Sequence, residues 1–164
     1  MNITVTGSRS KKLIKELTEA SEFFALQLMD PRMVRNITLD IEVVDKLEVN
    51  GECVNEDDTK SPRWFTITLK RKPKDDDIIK VLAHEMVHVK QYAKNELSKQ
   101  LRLATGGLRL GSKWHGEWWK PKKKEDHYWD APWEIAAYGM EVGLIHKWYS
   151  RHDPKMPWYV SEDA

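Results

Sequence analysis

The 164-residue chain contains a single cysteine, Cys53, which excludes a disulfide framework. We expect Cys53 to act as a small hydrophobic residue, so any metal site must take its ligands from histidine, aspartate and glutamate. No apolar run approaches the ~20 residues of a membrane span, and the N-terminus lacks the apolar stretch of a signal peptide. These absences favour a soluble protein of a reducing compartment, and we expect a cytoplasmic location.

Neither sign of charge dominates the chain, whose formal net charge is +1 at pH 7. No global field therefore draws it toward nucleic acid. Hydrophobic residues make up 40% of the sequence and charged residues 32%, which is typical of a soluble globular protein. The length suits one domain with its own core, so we expect a single domain over 1–164 with an irregular tail at 152–164.

Hydrophobic periodicity predicts both helices and strands in the first half of the chain. Apolar residues recur at helical spacing from Ser10 to Met29, whereas "NITLDIEVV" and "RWFTITLKRK" alternate as strands do. Asn50-Gly51 lies between short apolar pieces and indicates a hairpin, because both residues tolerate positive φ. The polar stretch 56–62 is a predicted loop.

The second half predicts two more helices, separated by a different kind of segment. Asp75 to Asp77 can cap a helix that runs to about Leu97, and Pro132 opens a last helix at a first-turn position where proline is tolerated. The stretch between them is rich in Gly, Trp and Lys, and predicts either a short β-hairpin or another ordered excursion of the chain. The fold class is therefore α+β, in the order helix, strands, helix, hairpin and helix.

The stretch "VLAHEMVHVK" carries the pattern H-E-x-x-H at His84, Glu85 and His88. Residues four apart share a helix face, so both imidazoles can point at one metal ion. Glu85 lies about 100° round the helix, where it can reach a water held by the metal without binding the metal. Chance gives only about 0.02 such matches in a chain of this composition. We therefore predict a catalytic zinc site with His84 and His88 as ligands and Glu85 as the base.

A catalytic zinc site needs a third protein ligand. Glu134 is the best candidate, because a carboxylate among apolar neighbours is unfavourable unless it is paired or coordinates an ion. It could instead complement the dipole of its helix, and His115 and His127 remain rivals. Glu141, about two turns further on, could orient a ligand. The downstream residues able to ligate are His115, Glu117, His127, Asp130, Glu134, Glu141, His146 and His152.

The pattern H-E-x-x-H at 84–88 and the later P-W-E-x-x-A at 132–137 resemble the zinc metallopeptidases of gluzincin type. More narrowly, the stretch 64–148 is similar to small, often bacteriophage-encoded proteins described as SprT-like metallopeptidases. The resemblance implies a minimal zincin-like domain with a small, mainly antiparallel sheet and a C-terminal helix that carries the third ligand. It also implies zinc held by His84, His88 and Glu134, a polypeptide substrate and, for a phage-encoded protein, the host cytoplasm.

Peptide hydrolysis also needs a donor for the oxyanion that forms at the scissile carbonyl. Tyr138, Tyr128 and His127 are near Glu134 in sequence and are the candidates for this catalytic role. In zincin-like folds a peptide adds a strand to the sheet edge beside the metal helix. The resemblance implies that "RWFTITLK" (63–70) is that edge.

The segment "SKWHGEWWKPKKK" (112–124) carries five lysines against one acidic residue. Lysines can neutralise phosphates, and indoles can stack on unpaired bases. The same pattern is also explained by a solvent-exposed lysine turn beside tryptophans that pack over a small core. The alternative function is thus a non-catalytic protein of the same fold that binds nucleic acid or a protein partner. In either case we expect a monomer without membrane contact. The residues for weak nucleic-acid contact are Lys113, Lys120, Lys122, Lys123 and Lys124 with Trp114, Trp118 and Trp119.

Overall fold

The computed structural model describes residues 1–121 and 128–163. It combines helices with two sheets, which confirms the α+β fold class. The order begins with a strand at the N-terminus that the sequence pattern did not predict. The elements are β1 (Asn2–Thr6), α1 (Lys11–Leu28), α2 (Pro31–Arg35), β2 (Thr38–Val44), β3 (Gly51–Asn55), β4 (Trp64–Lys70), α3 (Ile78–Ala93), β5 (Leu97–Ala104), β6 (Gly107–Trp114), β7 (Glu117–Trp118) and α4 (Pro132–Tyr149).

A four-stranded sheet in the order β1-β2-β4-β3 forms the centre of the fold. β1, β2 and β4 run parallel, and only β3 is antiparallel to its neighbour β4. The prediction of a mainly antiparallel sheet is therefore wrong. Helix α1 connects β1 to β2, and a helical crossover returns the chain in the same direction, which makes these two strands parallel.

Asn50 and Gly51 do not form the predicted hairpin turn, because β2 and β3 lie on opposite sides of β4. The hairpin joins β3 to β4 through the polar loop, where the Asp57 carboxylate accepts hydrogen bonds from the backbone N–H groups of Arg63 and Trp64. β3 is therefore an edge strand, and its far side has no strand partner among the described residues. The predicted edge, 63–70, is wrong, since β4 lies between β2 and β3.

The core lies between this sheet and helices α1 and α3. The alternation of apolar residues along β2 and β4 puts one set of side chains on the face that the helices cover. Trp148 of α4 completes the core, with its ring centroid 5.6 Å from that of Phe23 and 5.9 Å from that of Phe24. The buried strand residues are Leu39, Ile41, Val43, Phe65, Ile67 and Leu69.

Helix α3 begins at its predicted cap, since the Asp77 side chain accepts a hydrogen bond from the N–H of Ile79. It ends at Ala93, before the predicted end near Leu97. Asn95 has a φ of +56°, a left-handed conformation that cannot continue an α-helix. The chain then turns into β5, so Leu97 belongs to a strand.

The predicted hairpin between the last two long helices is a three-stranded sheet, in the order β5-β6-β7. The rest of that segment, including Lys122, Lys123, Lys124 and His127, lies outside the described residues. Pro132 occupies the first turn of α4, as predicted. Within the described part of the tail, 152–163, the backbone forms turns and no helix or strand.

Candidate metal centre

Two helices bring three potential metal ligands together. His84 and His88 lie one turn apart on α3, and Glu134 lies in the first turn of α4. The Glu134 Oε2 atom is 3.2 Å from Nε2 of His84 and 3.5 Å from Nε2 of His88. All three side chains are buried, and their ligating atoms lie within 4.8 Å of one another. The three residues therefore form a possible metal site.

A carboxylate on the far side of His84 sets the orientation of its ring. The Nδ1 atom of His84 is 2.9 Å from Oε2 of Glu141, which lies on α4 about two turns beyond Glu134. The Lys80 ammonium lies 3.6 Å from the other carboxylate oxygen of Glu141. Since the carboxylate accepts from Nδ1, the Nε2 atom of His84 is left to face the cluster.

The second histidine is oriented by Gln91, a residue that the sequence pattern did not single out. The Gln91 side-chain nitrogen donates to the backbone carbonyl of Trp133 over 2.9 Å. The amide oxygen therefore points at His88, 2.8 Å from its Nδ1, and that nitrogen must donate. The lone pair of His88 is thus on Nε2, toward Glu134. A glutamine three residues after a helical histidine is the only sequence signal for this contact.

The pKa values of His84 and Glu134 are shifted in opposite directions, so that both groups are charged at neutral pH. Burial lowers the pKa of His84, but hydrogen bonds to Glu134 and Glu141 outweigh it and raise that pKa to about 9. Burial raises the pKa of Glu134, yet hydrogen bonds to the two histidines lower it to about 2. In the metal-free protein His84 is therefore a cation held between two carboxylates at neutral pH.

Glu85 lies beside the cluster without belonging to it. Its side chain is buried, and burial raises its pKa to about 7 despite the opposing charges of His88 and His84. The backbone of β3 approaches closely at Gly51, where a Cβ atom would stand 3.0 Å from Oε1 of Glu85. Glu85 therefore lies between the possible metal site and the edge strand, with a pKa suited to accepting and returning a proton near neutrality.

The cluster opens into a cleft of about 690 Å³. Residues at the start of β3 and in the first turns of α4 line it. Cys53, on β3, also lines the cleft. Burial, together with the nearby Glu85 charge, raises the pKa of its thiol well above the usual value. A thiol held in its neutral form fits the prediction that Cys53 is a small hydrophobic residue.

Two of the predicted oxyanion donors lie in the same cleft. The Tyr138 ring centroid is 4.5 Å from that of His84, and the Tyr138 hydroxyl is 3.1 Å from the hydroxyl of Tyr128. Burial and this hydrogen bond raise the pKa of Tyr128 well above its usual range, so the phenol stays protonated. The third candidate, His127, lies outside the described residues.

Three of the rival histidines lie in the described part of the chain, and none of them belongs to the cluster. His115 is an exposed residue with a φ of +48° in the turn between β6 and β7. His146 and His152 are also exposed, and the Nδ1 atom of His152 contacts the carbonyl of Val160. In the described part of the chain, the only cluster of three metal-ligating side chains is the one at His84, His88 and Glu134. The choice of Glu134 over the described rivals therefore agrees with the structure.

The lysine and tryptophan segment is divided between two environments. Trp114 and Trp119 pack toward α4, with ring centroids 6.4 and 5.0 Å from that of Trp133. Trp118 instead lies under two cations, 4.7 Å from Lys113 Nζ and 5.5 Å from the Arg102 guanidinium carbon. Lys120 is exposed. Two of the three indoles therefore serve packing, and nucleic-acid contact stays a prediction.

Comparison with protein-family models, curated proteins and solved structures finds no match to this chain. Across the described residues, no helix is both long and apolar enough to span a bilayer.

Proposed function

We propose that the protein is a zinc metallopeptidase of minimal zincin-like fold that hydrolyses peptide bonds. The observation that carries the proposal is the convergence of His84, His88 and Glu134 beside Glu85 in one cleft. Two imidazole nitrogens and a carboxylate oxygen are a ligand set that catalytic zinc uses. Each imidazole has its other nitrogen held by an acceptor, which is the support such ligands normally have. The residues present therefore fit zinc.

When bound, zinc supplies a Lewis acid that acidifies water and polarises a carbonyl oxygen. Glu85 is the base in this proposal: its carboxylate takes a proton from the attacking water and then gives it to the leaving amine nitrogen. Its placement supports this role, since Glu85 lies in the cleft but is not part of the ligand cluster. Its raised pKa supports the role as well, because a base with a pKa near 7 can both accept and donate.

Tyr138 and Tyr128 are the proposed donors to the oxyanion. Both hydroxyls lie in the cleft and are hydrogen-bonded to each other, so one proton remains free to point at a substrate oxygen. A protonated phenol aimed at developing negative charge stabilises the transition state more than the ground state. Either tyrosine can fill this role, and replacing both removes it.

The edge strand β3 is the proposed binding place for the substrate backbone. Its first residues line the cleft, and its outer side has no strand partner in the described structure. An extended peptide can pair with such an edge through main-chain hydrogen bonds. Because Gly51 lets the strand approach Glu85, a peptide paired there passes directly beside the base.

Incubation of the protein with a mixed peptide library tests the function, with products read by mass spectrometry. The zinc-loaded chain should cleave library peptides, whereas chelated protein and His88→Ala should not. Cleavage that survives both chelation and loss of His88 would exclude the metal from the reaction. Zinc binding with no cleavage in any sample would favour the alternative, a non-catalytic protein of the same fold.

A further inference from the structure

The hairpin of β5 and β6 exposes an apolar surface that the proposed chemistry does not use. Cross-strand pairing sets Leu101 opposite Leu110 and Leu103 opposite Leu108. All four leucines are 66% to 84% exposed, although leucine side chains are usually buried. Since residues two apart share a face of a strand, these four side chains form one patch, which we call the leucine face.

The charge of the hairpin is of one sign. The stretch 97–114 contains four basic residues and no acidic residue. Lys99 lies on the same side of the hairpin as the four leucines. The other three cations, Arg102, Arg109 and Lys113, lie on the opposite side, where Arg102 and Lys113 contact the Trp118 ring. A ligand of the leucine face therefore meets apolar contacts beside one lysine, on a hairpin whose other three charges are also positive, and this favours a ligand that is both apolar and acidic.

The leucine face continues the wall of the cleft. Leu97 and Lys99 line the cleft, and they alternate along β5 with the same period as Leu101 and Leu103. At about 3.4 Å per residue, the leucine face extends roughly 14 Å beyond Lys99, which is the length of about four residues of extended peptide. A chain that leaves the cleft on this side comes to lie against the leucine face.

We propose that the leucine face binds an apolar, acidic stretch of the polypeptide substrate, adjacent to the stretch that occupies the cleft. This inference rests on the proposed function in one respect, since it takes the occupant of the cleft to be a polypeptide. The apolar face selects leucine-like side chains, and Lys99 selects a glutamate or aspartate next to them, at the end nearer the cleft. The hairpin thereby gives sequence preference to a site whose edge strand recognises only backbone.

A lipid surface fits these contacts less well than a polypeptide. An anionic bilayer also offers apolar depth and negative charge, and an amphipathic hairpin can enter it. However, the leucine face and the cleft wall share one side of β5, so a bilayer laid on the leucines would also cover the cleft entrance. A polypeptide occupies both surfaces without closing the cleft.

The test measures peptide binding in a zinc-loaded Glu85→Gln chain, which retains the whole surface without turnover. The probes are two fluorescein-labelled 12-residue peptides, one alternating leucine with glutamate and one alternating serine with glutamate. The leucine peptide should bind at least about 10-fold more tightly, because its apolar side chains lose water contact on the leucine face. Leu103→Ser/Leu108→Ser should abolish the difference between the two peptides.

A matched control replaces exposed apolar residues elsewhere, in Leu26→Ser/Val142→Ser. This variant should keep the preference for the leucine peptide. Equal binding of both peptides by the parent chain would overturn the proposal, and so would a preference that survives Leu103→Ser/Leu108→Ser. Hairpin-dependent binding to phosphatidylglycerol vesicles without any peptide preference would also overturn it. Peptide preference in a protein that cleaves nothing would uphold the leucine face while refuting the proposed peptidase function.

Discussion

The protonation of His84 should make zinc binding depend on pH. In the metal-free protein its pKa is about 9, because hydrogen bonds to Glu134 and Glu141 outweigh its burial. A metal ligand must be deprotonated, so zinc has to displace the proton on Nε2. Below pH 9 the affinity for zinc should therefore rise with pH. At pH 7 the binding of one zinc ion should release about one proton or more from the protein. A ligating histidine of ordinary pKa would release only about 0.2 proton at this pH.

Isothermal titration in buffers of different ionisation enthalpy measures this number directly. Glu141→Gln should lower the release at pH 7, since a neutral amide stabilises the imidazolium less than a carboxylate does. Proton release near zero at pH 7 would contradict the assigned charge state.

The folding stability of the metal-free protein should depend on pH in the opposite direction from zinc affinity. Because the folded pKa of His84 exceeds the unfolded value of 6.5, the contribution of His84 to stability is lost as pH rises from 6.5 through 9.

Gln91 is expected to act on the metal through His88. Gln91→Met keeps the side-chain volume but removes the acceptor for His88 Nδ1 and the donor to the Trp133 carbonyl. Zinc affinity should fall about 10–100-fold, as is typical when the partner of a ligating histidine is lost. Competition with a chromophoric chelator measures the change. Gln100→Met, at an exposed position of β5, is the matched control and should leave zinc affinity unchanged.

Prediction from the sequence was strongest for residues whose partners are local. The histidine pair and Glu85 follow from helix geometry alone, since four residues nearly complete one turn. Glu134 needed an additional argument from its apolar neighbours, because its partners lie 46 and 50 positions away. Gln91 gave no such signal, since its second contact is a backbone carbonyl on another helix and no sequence pattern shows which carbonyls will be near.

The close approach of β3 to α3 depends on Gly51. A Cβ atom at this position would stand 2.6 Å from Val81 Cγ1 and 3.0 Å from Glu85 Oε1. Gly51→Ala should therefore lower the free energy of unfolding by about 1–3 kcal/mol, as overpacking does. It should also displace Glu85 and reduce peptide hydrolysis, while zinc stays bound because the ligands do not contact Gly51.

Chemical denaturation and zinc stoichiometry check the two parts of that prediction. Gly143→Ala is the matched control, since Gly143 lies within α4 with open space around its missing Cβ. That change should raise the free energy of unfolding by up to about 1 kcal/mol through helix propensity. A Gly51→Ala protein as stable and as active as the parent would show that the close approach has no consequence.

Apolar alternation and helix capping predicted where most helices and strands lie, but they did not predict which strands pair. The strands at 38–44 and 64–70 lie where alternation placed them, because period-two burial depends on a strand's own residues. Strand direction depends on connections, so the sequence could not show that β4 would separate β2 from β3. Asn50-Gly51 illustrates the error: the glycine serves helix contact, and the dipeptide resembles a turn only in isolation.

For the molecule as a whole, zinc should act as a bridge between α3 and α4. The three possible ligands come from both helices, so an ion that binds them only in the folded state should stabilise the contact between α3 and α4. At 100 times its dissociation constant, zinc should add about 2.7 kcal/mol, which raises Tm by roughly 5–10 °C for a chain of this size. Thermal unfolding with and without chelator measures the shift. Glu134→Ala should remove most of it and His115→Ala almost none; the reverse pattern would exclude Glu134 as the third ligand.

Glu85 should supply the base for peptide hydrolysis without binding the metal. Glu85→Gln keeps side-chain size and hydrogen bonding but cannot take a proton, so it separates the two roles. The direct measurement compares cleavage rates of wild type and Glu85→Gln on peptides that the wild type hydrolyses, with zinc content determined on the same samples. We expect about one zinc per chain in both proteins and a rate reduced by at least about 10²–10⁴-fold in the variant. Cleavage at the wild-type rate, or loss of zinc from a folded Glu85→Gln protein, would contradict this expectation.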